Sequence, residues 1–387
     1  MYRLLELLIS VVIVVLLFVV VGVFLPSDRV FQHSVETNYP SRMVFDLLNG
    51  FRRFPEWYPL RSHDPAMQFS VSGPGRGEGA KLYYTSQLEN VGSGSFGIVS
   101  SIDRERIEFE IESPAMGDNK RAVVEIEEKG KTVQITWTYT VDYGWDLLGR
   151  YAGLYVNRTV GDDVKRALGN VVGLLATIPR FDYSLVEVAR EEVAPQNMLF
   201  ATQKAKRNIT AVDEAMVKAI DELNKSLAAN KLEAAGPVRL ITTNFGGEFY
   251  EFDVAIPFAV PEAASFIDPA EEAAKRAAEH AEAVAKAEAA GEPVPQTPAE
   301  PEPTALPLVA GLNLPDTVKQ GVSYAGEVLS TTYEGHPAAL PLLRDQLRAY
   351  AATHGDQVHD RAFEEYLTDI TSTAAEDAQF KIYWPIR

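Results

Sequence analysis

From Leu7 to Leu25 the chain reads LLISVVIVVLLFVVVGVFL, without a single charged residue. As a helix rising about 1.5 Å per residue, such a run extends about 28 Å, close to the thickness of a bilayer's hydrocarbon core. A buried helix of a soluble domain is a poor alternative for a run this uniformly apolar. A cleaved leader would have a shorter apolar region and a small-x-small cleavage site, which LPSDRVFQ does not offer. The run is therefore read as a single transmembrane anchor over 4–25. Val, Ile and Leu dominate it, so nothing in it marks an ion path. Arg3 and the amino terminus precede it, while Asp28 and Arg29 cancel after it. The positive-inside tendency then leaves the rest of the chain outside the cytoplasm, as in a single-pass protein of a bacterial-type inner membrane.

Charge and composition remove several function classes. The 387 residues carry a formal net charge of -18, the wrong sign for a partner whose backbone is phosphate, so no nucleic acid is expected. With no cysteine, disulfides, thiolate chemistry and cysteine-ligated zinc are excluded together. A hydrophobic content of 46% describes a chain that folds, with length for two or three domains.

Beyond the anchor the pattern is α+β. Val30 to Asn38 reads as a strand, MVFDLLNGF as a short amphipathic helix with Ser41 as its candidate cap, and FPEWYPL as a tight turn or one-turn helix. In TVQITWTYTV the residues Val133, Ile135, Trp137, Tyr139 and Val141 alternate with polar neighbours. Ile107, Phe109 and Ile111 do the same in ERIEFEIE. Strict alternation means one buried and one wet face, as in an antiparallel sheet. From about Leu154 to Ile178 the period becomes helical, and Pro179 ends it. The stretch SGPGRGEGAKLYY contains G-x-G-x-x-A spacing at Gly75 to Ala80, but KLYYTSQLE alternates as a strand. A dinucleotide fingerprint must open a helix, so these glycines are read as a turn between strands.

With YPSRMVFDLLNGFRRFPEWYPL, Asp64-Pro65, GPGRGEGAKLYY and GLYVNRTVGDDVKRALGNV in that order, residues 30–179 resemble the START-like SRPBCC fold, in its polyketide cyclase branch. The resemblance implies a helix-grip architecture: a curved antiparallel sheet closed by a long C-terminal helix around an apolar cavity. Trp57, Tyr84, Phe109, Trp137 and Tyr139 are the candidate cavity lining, with ordinary core packing as the alternative.

Residues 181–387 start a second unit. FDYSLVEVAREEVAPQNMLFATQ reads as two strands around a turn, and NITAVDEAMVKAIDELNKSLAAN as a helix with Thr210 as candidate cap. GPVRLITTN and YEFDVAIPFAV read as strands. The same succession returns in GVSYAGEVLSTTYEG, ALPLLRDQLRAYAATHG, FEEYLTDI and FKIYWPIR, giving a duplicated β-α-β-β domain around a shared groove. Through YEGHPAALPLLRDQLRAYAATHG, FEEYLTD and IYWPIR this domain resembles the GyrI-like effector-binding family, without a helix-turn-helix region. The resemblance implies a ligand site at Glu364, with Tyr366 and Trp384 as walls and Tyr333 where many members carry histidine. Alternation puts Glu364 and Tyr366 on one face and leaves Glu365 on a wet one. Residues 262–307 form an Ala/Glu/Pro-rich insertion. In it Asp268, Pro269 and Glu271 open a solvated helix that Gly291 stops. It is either a tolerated loop expansion or an arm for a protein partner.

Catalytic signatures are missing. His33, His63, His280, His336, His354 and His359 show no zinc spacing, and no nucleophile elbow, S-x-x-K or Walker lysine occurs. No metal and no cofactor are expected. The chain reads as a membrane-anchored protein that binds or senses a small amphipathic or cationic organic ligand, since a carboxylate among aromatic rings attracts organic cations. The alternatives are a cyclase- or hydrolase-type enzyme working in one of the cavities, and a structural protein of the envelope.

Overall fold

A computed structural model describes residues 2–89, 91–262, 264–268, 277–278, 280–282, 284–286, 306–370 and 372–387. It is mixed α and β, with two antiparallel sheets and an apolar N-terminal helix. The chain divides into two compact units, Met1–Leu185 with Ala349–Asp356, and Val186–Arg348 with Gln357–Arg387. The helix expected from Asp268 onward, with Pro269, Glu271 and the stop at Gly291, lies largely outside the described residues.

The first unit begins with helix α1 (Tyr2–Phe24), whose Leu5–Phe24 stretch is long and apolar enough to cross a membrane. Strand β1 (Asp28–Thr37) is followed by three short helices, α2 (Ser41–Leu48), α3 (Phe54–Trp57) and α4 (Leu60–His63). Six strands then run in succession: β2 (Gln68–Ser72), β3 (Lys81–Thr85), β4 (Ser93–Ile102), β5 (Arg106–Glu112), β6 (Asp118–Lys129) and β7 (Thr132–Asp142). Their spatial order, β1-β7-β6-β5-β4-β3-β2, is that of a meander whose last strand returns to pair with the first. In β7 every second residue is buried, as its alternation requires, with Ile135 and Trp137 inside and Gln134 and Thr136 outside. Helix α5 (Leu147–Ala152) leads into α6 (Val156–Leu175). The inward stripe of α6, Val164, Ala167, Leu168, Val171 and Leu175, has the three-and-four spacing of one helix face and covers β1, α2 and α3.

Two local expectations in this unit meet the structure differently. Ser41 is not the cap of α2: Pro40 occupies that position without a side-chain cap, and the Ser41 hydroxyl donates instead to the Glu128 carboxylate. The glycine-rich stretch does join β2 to β3, which pair from Gln68↔Thr85 to Ser72↔Lys81. Gly73 shows why glycine stands there. Its φ is +74°, and a Cβ would come within 2.5 Å of the Gly79 carbonyl oxygen.

The second unit holds one nine-stranded sheet. In chain order its elements are β8 (Ala189–Val193), β9 (Asn197–Lys206), α7 (Ile209–Ala229), β10 (Glu233–Ala234), β11 (Val238–Phe245) and β12 (Phe249–Ala259). After the insertion come β13 (Lys319–Val322), β14 (Gly326–Glu334), α8 (Leu340–His354), β15 (Phe363–Tyr366) and β16 (Gln379–Pro385). The strands lie in the order β13-β9-β12-β11-β15-β16-β14-β8, with β10 also on β12. Strand, helix, strand, strand thus occurs as β9-α7-β11-β12 and again as β14-α8-β15-β16. In each set the third strand lies between the first and the second, and β11 and β15 join the sets from Val238↔Tyr366 to Ile241↔Phe363.

Strands β8 and β9, adjacent in sequence, do not pair with each other. β8 adds to β14, and β9 to β12 and β13. The cap of α7 is Asn208, whose side chain accepts the Ala211 amide at 2.9 Å, and not Thr210. Asn at this position accepts an orphan helix amide more readily than Thr two residues into the helix can.

Candidate functional site

Strand β15 is the four residues FEEY, and its pleat sends Glu364 and Tyr366 to one side of the sheet. On that side Leu240 of β11 and Ile382 of β16 flank Glu364, and Phe380 sits beside Tyr366. On helix α8 the residues Leu340, Leu343 and Leu347 recur at helical spacing and are all buried. Arg344 belongs to the same stripe. Its Nε lies 3.0 Å from Oε1 of Glu364, and both side chains are withdrawn from solvent.

The guanidinium is heavily engaged. Its Nη1 donates to the Thr242 hydroxyl and, at 2.9 Å, to the Tyr250 hydroxyl, and those two hydroxyls are 2.9 Å from each other. The rings of Phe245 and Tyr250 stand 5.2 and 5.5 Å from the guanidinium carbon, within cation–π reach. Glu364 is the less satisfied partner. It is 1% exposed, yet neither carboxylate oxygen receives an aligned hydrogen bond from the described residues, because Arg344 is close without pointing an N–H at it.

The titration behaviour follows from this geometry. Burial lifts the Glu364 carboxyl above its ordinary range, and the Arg344 charge opposes but does not cancel that lift. Burial works against the charged form of Arg344, and Glu364 and Tyr250 overcome it, so the guanidinium is held more firmly protonated than usual. Burial, then the Glu364 charge, pushes Tyr250 up to about 12. The same two causes in the same order raise Tyr366 well above the phenol range. The cluster can hold a cation at Glu364, or present a protonated carboxyl as a hydrogen-bond donor. At present the cation is one from the chain itself.

The other residues singled out in this unit share the Glu364 side of the sheet by register. Tyr333 of β14 is paired with Phe380 and stacks on it, with ring centroids 6.2 Å apart and 21° between planes. Trp384 lies two residues along β16 from Ile382 and is half-buried, with its Nε1 buried and without a partner among the described residues. Tyr366 meets Phe380 edge-on at 4.9 Å. Glu365 departs from expectation. It is not on a wet face but largely buried, paired with Arg239 at 2.8 Å and accepting from the Tyr383 hydroxyl at 2.8 Å. The reason is that β15 lies near the centre of the sheet, with Met198, Ile241, Val328, Phe363 and Tyr383 forming a core on that second side.

Sequence reasoning missed Arg344, Tyr250 and Thr242. Arg344 had a readable signal, a charge on the apolar stripe of LPLLRDQL where a surface helix would put leucine. Tyr250 and Thr242 reach the site only through the pairing of β11 with β12, which no local pattern specifies.

In the first unit Trp57, Tyr84, Phe109, Trp137 and Tyr139 are all buried. Phe109 and Trp137 stack at 5.7 Å, Trp57 meets Trp137 at 6.2 Å, and Phe54 meets Trp57 at 4.6 Å. These rings touch one another as a packed core does. Polar edges nonetheless remain inside. The indole N–H groups of Trp57 and Trp137 have no partner among the described residues, and burial raises the phenols of Tyr58, Tyr84 and Tyr139. A depression of about 770 Å³ lies on the opposite, polar face of the sheet, against Ser34, Glu125, Glu127, Gln134 and Thr136.

No family model matches the sequence, and no curated protein matches it. Several solved structures are similar in part. The C-terminal domain of EcmrR is 9% identical, with 52% of this chain covering 98% of that one at a TM-score of 0.35. Protein Ms6760 from Mycobacterium smegmatis is 15% identical over 38% of this chain and 91% of its own, at 0.29. A hydrolase from Listeria innocua is 12% identical over 52% and 92%, at 0.31. Likenesses at this level concern the backbone alone.

Proposed function

We propose that this chain is a small-molecule-binding protein held at a membrane by α1, with its ligand site at Glu364 on the helix-covered side of the second sheet. The observation that carries the proposal is the Glu364 carboxylate itself, buried among rings and without an aligned hydrogen bond. A buried, poorly satisfied ionisable group is costly to keep, and such groups gather where a ligand will supply the missing partner. Arg344 acts as a tethered stand-in for the ligand's cation, so an incoming organic cation competes with it for the same carboxylate. The duplicated strand–helix–strand–strand order and the motifs around Glu364 support a GyrI-like effector-binding domain over 181–387. The meander closed by α6 supports a helix-grip, SRPBCC-type domain over 30–179.

For the membrane, the end of α1 supports a retained anchor over a removed leader. Buried Arg150 directs Nη1 to the carbonyls of Gly22, Val23 and Leu25 at 3.3, 2.9 and 3.1 Å, which a helix leaves without partners of its own. Removing α1 would take these acceptors from Nη1 and leave the guanidinium with the Gly144 carbonyl, to which Nε and Nη2 donate at 2.9 and 2.6 Å. The Arg3 side of the span faces the cytoplasm in this reading, and both units lie outside it.

Calorimetric titration of the full chain in detergent with tetraphenylphosphonium tests the ligand site. Arg344→Met should bind more tightly than wild type, increasingly so as pH rises and its lifted Glu364 carboxyl ionises, and Glu364→Gln should lose most of the affinity. Equal affinity in wild type and Glu364→Gln would remove Glu364 from the site.

A further inference from the structure

The segment after β7 is unusual among the exposed parts of the first unit. Within eleven residues it exposes Trp145 (82%), Leu148 (61%), Leu154 (52%) and Tyr155 (63%). Large apolar and aromatic side chains gathered in this way mark a contact surface. Their neighbour is α1. Tyr151 stacks on Phe18 with centroids 4.3 Å apart and 12° between planes, and its hydroxyl donates to the Phe18 carbonyl at 2.8 Å. Gly22 permits this approach: a Cβ there would stand 3.3 Å from both the Leu147 Cβ and the Tyr151 ring. Arg150, stacked on Trp145 at 5.4 Å, reaches the terminal carbonyls of α1. Helix α5 is thus fastened along α1 from Phe18 to Leu25.

That attachment fixes where α5 can be. Phe18 lies six residues before Phe24, about 9 Å deeper along a helix axis. Those turns cannot be withheld from the bilayer, because the apolar stretch from Leu5 to Leu17 alone would reach only about 20 Å of the roughly 30 Å hydrocarbon core. A helix packed against Phe18 to Leu25 must therefore sit at the level of the headgroups and the first methylenes. Trp and Tyr are the residues that favour this layer, where a ring can be buried and its polar edge kept wet.

We infer that residues 145–155 form a second membrane contact, an interfacial seat in which Trp145, Leu148, Leu154 and Tyr155 enter the lipid headgroup layer beside α1. The inference rests on the proposal that α1 spans the membrane. It adds that the first unit is held against the lipid surface, and is not free on a tether.

The chain has no cysteine, so single-cysteine variants report one position each. Leu148→Cys and Leu154→Cys in the full chain, labelled with the fluorophore NBD, are reconstituted into vesicles of phosphatidylcholine with one quarter phosphatidylglycerol. Lys131→Cys, exposed at the far end of β7 and about 35 Å away along that strand, is the control. Lipids bearing a nitroxide just below the headgroup should quench most of the emission at 148 and 154, with a blue shift, and leave 131 unchanged. Alkaline carbonate extraction of the same vesicles reports on α1 independently. Retention of the chain with unquenched labels at 148 and 154 overturns the seat and leaves the anchor standing. Release of the chain by carbonate overturns the anchor and the seat with it.

Discussion

Replacing Glu364 by Gln should destabilise the second unit more than its size suggests, and Arg344 is the reason. At 3.0 Å and an effective dielectric near 20, opposite unit charges attract by about 5.5 kcal/mol before desolvation is counted. Removing one partner of a buried pair leaves the other charge uncompensated, at a cost of about 3–5 kcal/mol. In Glu364→Gln the stranded group is a guanidinium that cannot lose its proton, left with the hydroxyls of Thr242 and Tyr250. In Arg344→Met the stranded group is a carboxyl already lifted by burial, which escapes by taking a proton, so this variant should suffer less. The double variant should then fall short of the sum of the singles by about 2–3 kcal/mol. Native-state hydrogen exchange of β15 and β16 amides, on the full chain in detergent, reads this unit without interference from the other. Additive single effects, or a neutral Glu364→Gln, would refute the idea that the two charges form one unit.

Three further outcomes follow from single positions. Burial holds the His354 imidazole down at about 4, so its stabilising contribution is complete above about 6.5 and is lost as pH falls through about 4. An acid titration of unfolding should be flatter for His354→Gln, and an unchanged profile would exclude this group. Gly73→Ala should cost about 1–3 kcal/mol, because its φ of +74° and the Gly79 carbonyl both oppose a Cβ. Thermal melting checks this against Gly75→Ala, which shares the positive φ but meets no atom within 4 Å and should lose less. Asn208→Ala should weaken α7 by about 1 kcal/mol and Thr210→Ala by much less, as measured by exchange of the first-turn amides.

What the sequence alone determined was local and periodic. Nineteen uncharged residues dictate α1 because hydropathy over twenty positions needs no partner to be legible. The alternation in β7 and β5 likewise specified which residues would be buried, since a pleat has period two wherever the strand is placed. FEEY put Glu364 and Tyr366 on one face for the same reason. The tertiary structure decided everything that depends on what lies across from a residue. Ser41 and Thr210 have the chemistry of caps, but neighbouring backbone put Pro40 and Asn208 in those places. β8 and β9 look like a hairpin, yet β8 joins β14 more than a hundred residues away and β9 lies between β12 and β13. Glu365 has the pattern of a wet carboxylate and is buried because β15 is central. Arg344, a charge on a leucine stripe, was visible as an anomaly. Its role as the counter-ion of Glu364 emerged only when α8 crossed the strand that carries that carboxylate. Arg150 and Tyr151 gave no sign of holding the end of α1, because that contact joins positions more than a hundred residues apart, and periodicity carries no information over such a distance.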